Sequence, residues 1–189
     1  MVRIDVSIPE GASNDFEVAH YTVDDTDNNW QVYLGMAKCS QDNDEPSTTT
    51  FTVLLKEGCP MPIMQNTHAE YAEHQWLWNN AEGHVLIGGL GIGMCHQPLI
   101  DNPSVTAVTI VENSQDVIDL VWEHCAKDET FTLVHDDFES WTPEEGSTFD
   151  VVFGDTWLVD NPMTQSDYLT LINNRYSAYS EKIGFWGGL

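Results

Sequence analysis

The sequence predicts an α/β protein, with a mostly parallel sheet flanked by helices and a small β-rich cap ahead of it. Three observations carry this. Short apolar runs alternate with amphipathic stretches from residue 84 onward. A glycine loop follows the first run, and an acid closes each of the next three, at Glu112, Asp136 and Asp155. Alternating strand and helix periods imply a parallel sheet joined by right-handed crossovers.

The elements are expected in the following order. In the cap, strand-like pieces cover 3–8, 17–23, 30–37 and 48–55, with breaks at Pro9-Glu10-Gly11, at 24–29 and at 40–47. The last break is polar and acidic and reads as a mobile hairpin loop. A helix with aromatic and acidic faces is expected over 65–81. Then come strand 84–90, helix 94–100, strand 105–111, helix 114–126, strand 131–135, strand 149–154, helix 164–180 and strand 182–187. Ser114 reads as an N-cap. The expected division is 1–60 for the cap and 61–189 for the sheet domain. No internal repeat is visible.

The glycine loop suggests a ligand. Val85-Leu86-Ile87 enters Gly88-Gly89-Leu90-Gly91-Ile92-Gly93, and the second strand ends on Glu112. Glycine is needed where a strand turns sharply into a helix and a ligand approaches bare backbone. An ionised carboxylate at the end of the next strand can accept from both hydroxyls of a ribose. The acid follows at about the expected 20 residues. Together these point to a nucleoside-containing cofactor.

These residues resemble the class I S-adenosylmethionine-dependent methyltransferase superfamily, over roughly residues 64–189. Gly89-Leu90-Gly91-Ile92-Gly93 is similar to its GxGxG loop, and Glu112 stands at its ribose-binding acid. Val134-His135-Asp136-Asp137-Phe138 is similar to its third-strand motif, where an acid meets the adenine amino group, Asp136 being the better match. Phe149-Asp150-Val151-Val152-Phe153-Gly154-Asp155 is similar to its fourth strand, which ends at the reacting centre. The resemblance implies a Rossmann-like sheet and S-adenosylmethionine as cofactor. It implies cofactor binding by Gly89, Gly91, Gly93, Glu112, Asn113, Asp136, Asp137, Phe138 and Asp155.

Two subgroups match best. The helix before the glycine loop and the β-rich cap look like those of spermidine-synthase-like proteins. Met61-Pro62-Ile63-Met64, Glu70-Tyr71, Val111-Glu112 and Gly154-Asp155-Thr156-Trp157 look like guanidinoacetate-type N-methyltransferases. The chain departs from spermidine synthases at Ile92, where they carry an aspartate. It departs from most methyltransferases at Ile87, where they carry an acid that helps hold the methionine part of the cofactor. It ends on a stretch similar to the fifth strand, where a complete member continues with a helix and an antiparallel strand pair. It is therefore expected to be naturally short or trimmed.

Composition narrows the classes further. With 31 acidic and 6 basic residues the formal net charge is −25. Such a field repels nucleic-acid backbones and anionic membranes, so neither is an expected partner. The acids are spread along the whole chain, which favours surface adaptation for solubility, while a share of them would attract a cationic small molecule. Seven Trp, seven Phe and six Tyr supply enough apolar surface to exclude disorder. No run is long enough to span a bilayer, and no signal segment opens the chain. Cys39, Cys59, Cys95 and Cys125 lack the paired spacing of a zinc or dithiol site, so reduced thiols in a cytoplasmic protein are expected. Association with further copies of the chain is compatible with the sequence.

The expected activity is methyl transfer to a small molecule carrying an amine or guanidine nitrogen. Its rivals are aminopropyl transfer from decarboxylated S-adenosylmethionine, acceptor-free breakdown of S-adenosylmethionine, and binding without catalysis. Asp155 is the expected catalytic residue, orienting the acceptor nitrogen and accepting the proton it sheds, at the carboxyl end of the fourth strand. Glu70, Trp157 and Asp160 are expected to bind the substrate, Trp157 by stacking on a cation. No metal site is expected. His68 and His74 with Glu70 match no strong zinc pattern and read as a wet helix face. His135 carries no assigned role.

Overall fold

A computed structural model describes residues 3–24, 48–156 and 163–188. Two sheets are formed. The first is antiparallel: β1 (Gly11–Ser13), β2 (Phe16–Asp24), β3 (Thr48–Lys56) and β4 (Met64–Gln65) lie side by side in that order. β2 and β3 pair along their whole length, from Phe16 opposite Lys56 to Asp24 opposite Thr48. The strand expected over 30–37 and the loop expected over 40–47 lie outside the described residues. Residues 3–8 run without a strand ladder, contrary to expectation. Their backbone bonds go to side chains instead, as when Asn66 Nδ2 donates to the Ile4 carbonyl, and the burial of Ile4 and Ile8 anchors the segment.

The second sheet is parallel and holds β5 (Gly83–Gly88), β6 (Val105–Glu112), β7 (Phe131–His135), β8 (Val151–Gly154) and β9 (Ile183–Phe185). Its spatial order is β7-β6-β5-β8-β9. β5 and β8 are neighbours, Val85 lying opposite Val151 in parallel register. The sheet is Rossmann-like: the chain winds outward from β5 to one edge, then returns to β8 and winds to the other. The crevice at the carboxyl ends of β5 and β8, where the winding reverses, is the place such sheets offer to a ligand.

Both faces of this sheet are covered, which explains the continuous apolar runs. The alternation of side chains sends Val85 and Ile87 into one core with Val108, Ile110 and Phe153, and sends Leu86 into the other with Val111 and Val152. The antiparallel sheet joins the first core through Val18, Leu54 and Met64. It thereby extends to Gln65, past residue 60.

Five helices are described: α1 (His68–Glu73), α2 (Gln75–Asn80), α3 (His96–Ile100), α4 (Gln115–Val121) and α5 (Gln165–Tyr176). The single helix expected over 65–81 is two. Thr67 caps α1 by accepting from Glu70 N at 3.2 Å, and His74, at φ −90° and ψ 9°, breaks the run before α2. Ser114 caps α4 as expected, accepting from Val117 N. α4 stops at Val121 and α5 at Tyr176, each short of its expected end. α5 starts on a capping box, with Thr164 and Asp167 each bonding the other's backbone N–H.

Candidate functional site

One cleft opens at the reversal point of the parallel sheet. Gly89, Gly91, Val111, Glu112, Asn113, Val117, Phe138, Asp155 and Thr156 line it from the parallel domain. Phe16, Leu54, Lys56, Ile63 and Met64 close it from the cap. Of the expected cofactor residues, Gly89, Gly91, Glu112, Asn113, Phe138 and Asp155 meet here, while Gly93, Asp136 and Asp137 lie outside the lining.

The glycines are required by local geometry. Gly89, Gly91 and Gly93 have φ of 97°, 53° and 67°, the left-handed region that side chains disfavour. At Gly91 a Cβ would also meet Met64 Sδ at 1.9 Å, and at Gly93 it would meet Cys125 Cβ at 2.5 Å. Met64 thus folds over the loop, its sulfur accepting from Ile92 N at 3.2 Å. Gly93 serves the packing of the loop against the segment after α4 rather than the cleft.

Glu112 ties this loop to β6. One carboxylate oxygen accepts from Leu90 N at 2.8 Å and the other from Ser114 N at 2.8 Å. Burial raises its pKa, opposed by those backbone donors. Each oxygen keeps a lone pair beyond the bond it accepts, so the carboxylate can still receive hydroxyl donors. Phe138 supplies an apolar wall: it is fully buried, stacks on Tyr176 at 4.6 Å, and lies so close over Gly88 that a Cβ there would meet its ring at 2.3 Å. Asp136 and Asp137 are exposed. Asp136 accepts from Asp137 N, and Asp137 accepts from Glu139 N and Ser140 Oγ. Their described bonds build the turn after β7.

Asp155 is held from behind by a buried imidazole. His74 Nε2 lies 3.0 Å from Asp155 Oδ2, and His74 Nδ1 lies 2.8 Å from the Glu70 carbonyl oxygen. That carbonyl can only accept, so Nδ1 carries a hydrogen. Nε2 then faces a carboxylate oxygen, and the contact attracts only if a proton lies between them. Burial opposes the charged ring, but the acidic partners Cys95 and Asp155 outweigh it and hold its pKa well above the usual value. Burial also pushes the Cys95 thiol up. One proton therefore lies between His74 Nε2 and Asp155 Oδ2.

Glu70 backs the same network. It is buried, Trp186 Nε1 donates to its Oε1 at 2.6 Å, and burial, with Asp155 nearby, raises its pKa to about 7. Glu70 lies outside the lining of the cleft. The wet helix face expected for His74 and Glu70 is overturned: His74 has no exposed surface, and it packs between the Trp78 and Phe153 rings at 5.6 and 5.5 Å. The i, i+4 spacing of Glu70 and His74 was visible, but their partner is 81 residues further on, at Asp155. Trp157 and Asp160 lie outside the described residues. Among the described residues no cluster of His, Cys, Asp or Glu could hold a metal ion, and no helix is long and apolar enough to cross a membrane.

No family model and no curated protein matches this chain. Solved structures similar to it include methyltransferases and spermidine synthases. A putative RNA methyltransferase from Pyrococcus horikoshii shares 20% identity over 59% of this chain and 56% of its own, with a TM-score of 0.42. The putative methyltransferase yhhF from Escherichia coli shares 17% over 60% and 62%, at 0.43. Spermidine synthase from Thermotoga maritima shares 13% over 82% and 49%, at 0.46. The chain thus spans about half to three-fifths of these structures' own lengths.

Proposed function

We propose that the cleft binds S-adenosylmethionine and that the protein transfers its methyl group to the nitrogen of a small amine or guanidine. The observation that carries this reading is Glu112: a buried carboxylate at the end of β6, beside the glycine loop and facing the cleft with acceptor capacity to spare. The residues present fit the cofactor. Glu112 would take the ribose hydroxyls, Phe138 and Val117 would cover the base, and Gly89 and Gly91 would lie along the chain that leads to the sulfur. Bound there, S-adenosylmethionine supplies a methyl group already activated on a sulfonium.

The protein's part is then alignment and charge. Holding a nucleophile in line with the departing sulfur provides much of the acceleration. Asp155, positioned by His74, orients the acceptor nitrogen and lies beside the positive charge that grows there as the new bond forms. Glu70 and Trp186 act through His74 and keep the pair in place.

Mass spectrometry of the chain incubated with S-adenosylmethionine and a library of amines tests the reaction. The expected product is heavier by one methyl group, and Asp155→Asn should lower its rate roughly 10²–10³-fold, the range for a lost preorganised charge partner. A product carrying a propylamine group would instead establish aminopropyl transfer. Equal rates in the parent and Asp155→Asn would remove Asp155 from the reaction.

A further inference from the structure

We propose that Lys56 binds a carboxylate on the ligand of this cleft, so that the ligand is a nucleoside with an intact amino-acid group and not its decarboxylated form. The inference rests on the S-adenosylmethionine reading of the cleft. Lys56 closes β3, where it stands opposite Phe16 of β2, and both side chains line the cleft from the cap. Its ammonium lies 5.5 Å from the centroid of the Phe16 ring, a cation–π contact that holds the long side chain against a rigid strand pair.

Its surroundings make the charge notable. The chain has 31 acidic and 6 basic residues, so a lysine has many carboxylates to meet. Arg3, Lys127 and Lys182 each pair with one, at Asp5, Glu123 and Glu82. Lys56 pairs with no carboxylate among the described residues, as is also true of Arg175, but Lys56 alone of the two shares a cleft with carboxylates, Glu112 and Asp155. The cleft therefore presents carboxylates on its sheet wall and an ammonium on its cap wall. An amino-acid group brings a carboxylate to Lys56 and, as a zwitterion, adds no net charge. A decarboxylated ligand offers only positive charge and leaves Lys56 facing a like charge. The nucleoside end is uncharged and supplies Lys56 with no partner.

Two probes separate these parts. S-adenosylhomocysteine carries the amino-acid group, whereas methylthioadenosine keeps the nucleoside and the thioether and lacks that group. Titration calorimetry of both into the full chain should show tighter binding of S-adenosylhomocysteine. Lys56→Gln should weaken that ligand roughly 10–100-fold, the range for a lost charge-assisted bond, and leave methylthioadenosine unchanged. Lys56→Arg should restore most of the difference, and added salt should narrow it. Lys56 is half-buried and donates no described hydrogen bond, and thermal melting of each variant checks that it folds. Equal parent affinities for the two ligands, or a Lys56→Gln loss that is the same for both or absent, would overturn the inference alone. Failure of the parent to bind either nucleoside would overturn the reading of the cleft, and this inference with it.

Discussion

His74 and Glu70 show how much of this site depends on where protons sit. Both groups have raised pKa values, His74 through its acidic partners against burial, and Glu70, at about 7, through burial first and Asp155 second. A raised pKa means that the folded chain binds more protons than the unfolded one. The stability each contributes is therefore complete below its unfolded value and is lost as pH rises through its folded value. For Glu70 that window runs from its ordinary 4.5 to about 7. Glu70→Gln keeps an acceptor for Trp186 Nε1 and removes the ionisation. Melting curves of parent and variant should converge near the bottom of this window and separate toward its top, with the parent the less stable. Parallel curves across the window would show that Glu70 is not protonated preferentially in the fold. At this scale the sequence was partly legible. Glu112 and Asp155 announce themselves as acids closing strands, but burial of His74 depends on a helix docking on the end of β8, and spacing along one helix carries no sign of that.

The glycine loop is the element on which the site turns. Its motif was legible because glycine's backbone freedom is needed there, yet the motif did not reveal what covers it. Met64, from the cap, lies over Gly91 and bonds Ile92 N. Gly91→Ala should therefore destabilise the protein twice, by roughly 1–2 kcal/mol for a side chain in the left-handed region and by the displacement of Met64. Adding Met64→Ala removes the clash but leaves the backbone cost and a lost apolar contact. The double variant should thus lose less stability than the sum of the two separate losses that independent sites would give. Strictly additive losses in denaturant melts would show that the two residues do not meet. A second element offers a plainer check: Thr164→Ala deletes half of the capping box of α5 and should cost about 1 kcal/mol. The strands of the parallel sheet were readable from their apolar runs. The break in the helix before them was not, because Thr67 caps α1 and His74 turns to Asp155, and periodicity encodes neither bond.

At the scale of the molecule, two sheets of different kinds share one core, and the cleft lies where they meet. Alternation of strands and helices foretold the parallel sheet. The closure of the cleft by Phe16, Leu54, Lys56, Ile63 and Met64 was not foretold, since it comes from the packing of the antiparallel sheet against the other. The formal charge of −25 also acts on the whole. Self-repulsion weakens the compact state and salt screens it, so moderate sodium chloride should raise the melting temperature. A melting temperature that falls or stays level would mean that the acids are not spaced closely enough to repel. The claim on which the rest depends is that Glu112 receives a nucleoside. Titration calorimetry of S-adenosylhomocysteine into the parent chain and into folded Glu112→Ala tests it most directly. Saturable binding that weakens by about 1–3 kcal/mol in the variant is the predicted result; no binding to the parent, or the same affinity in both, would contradict it.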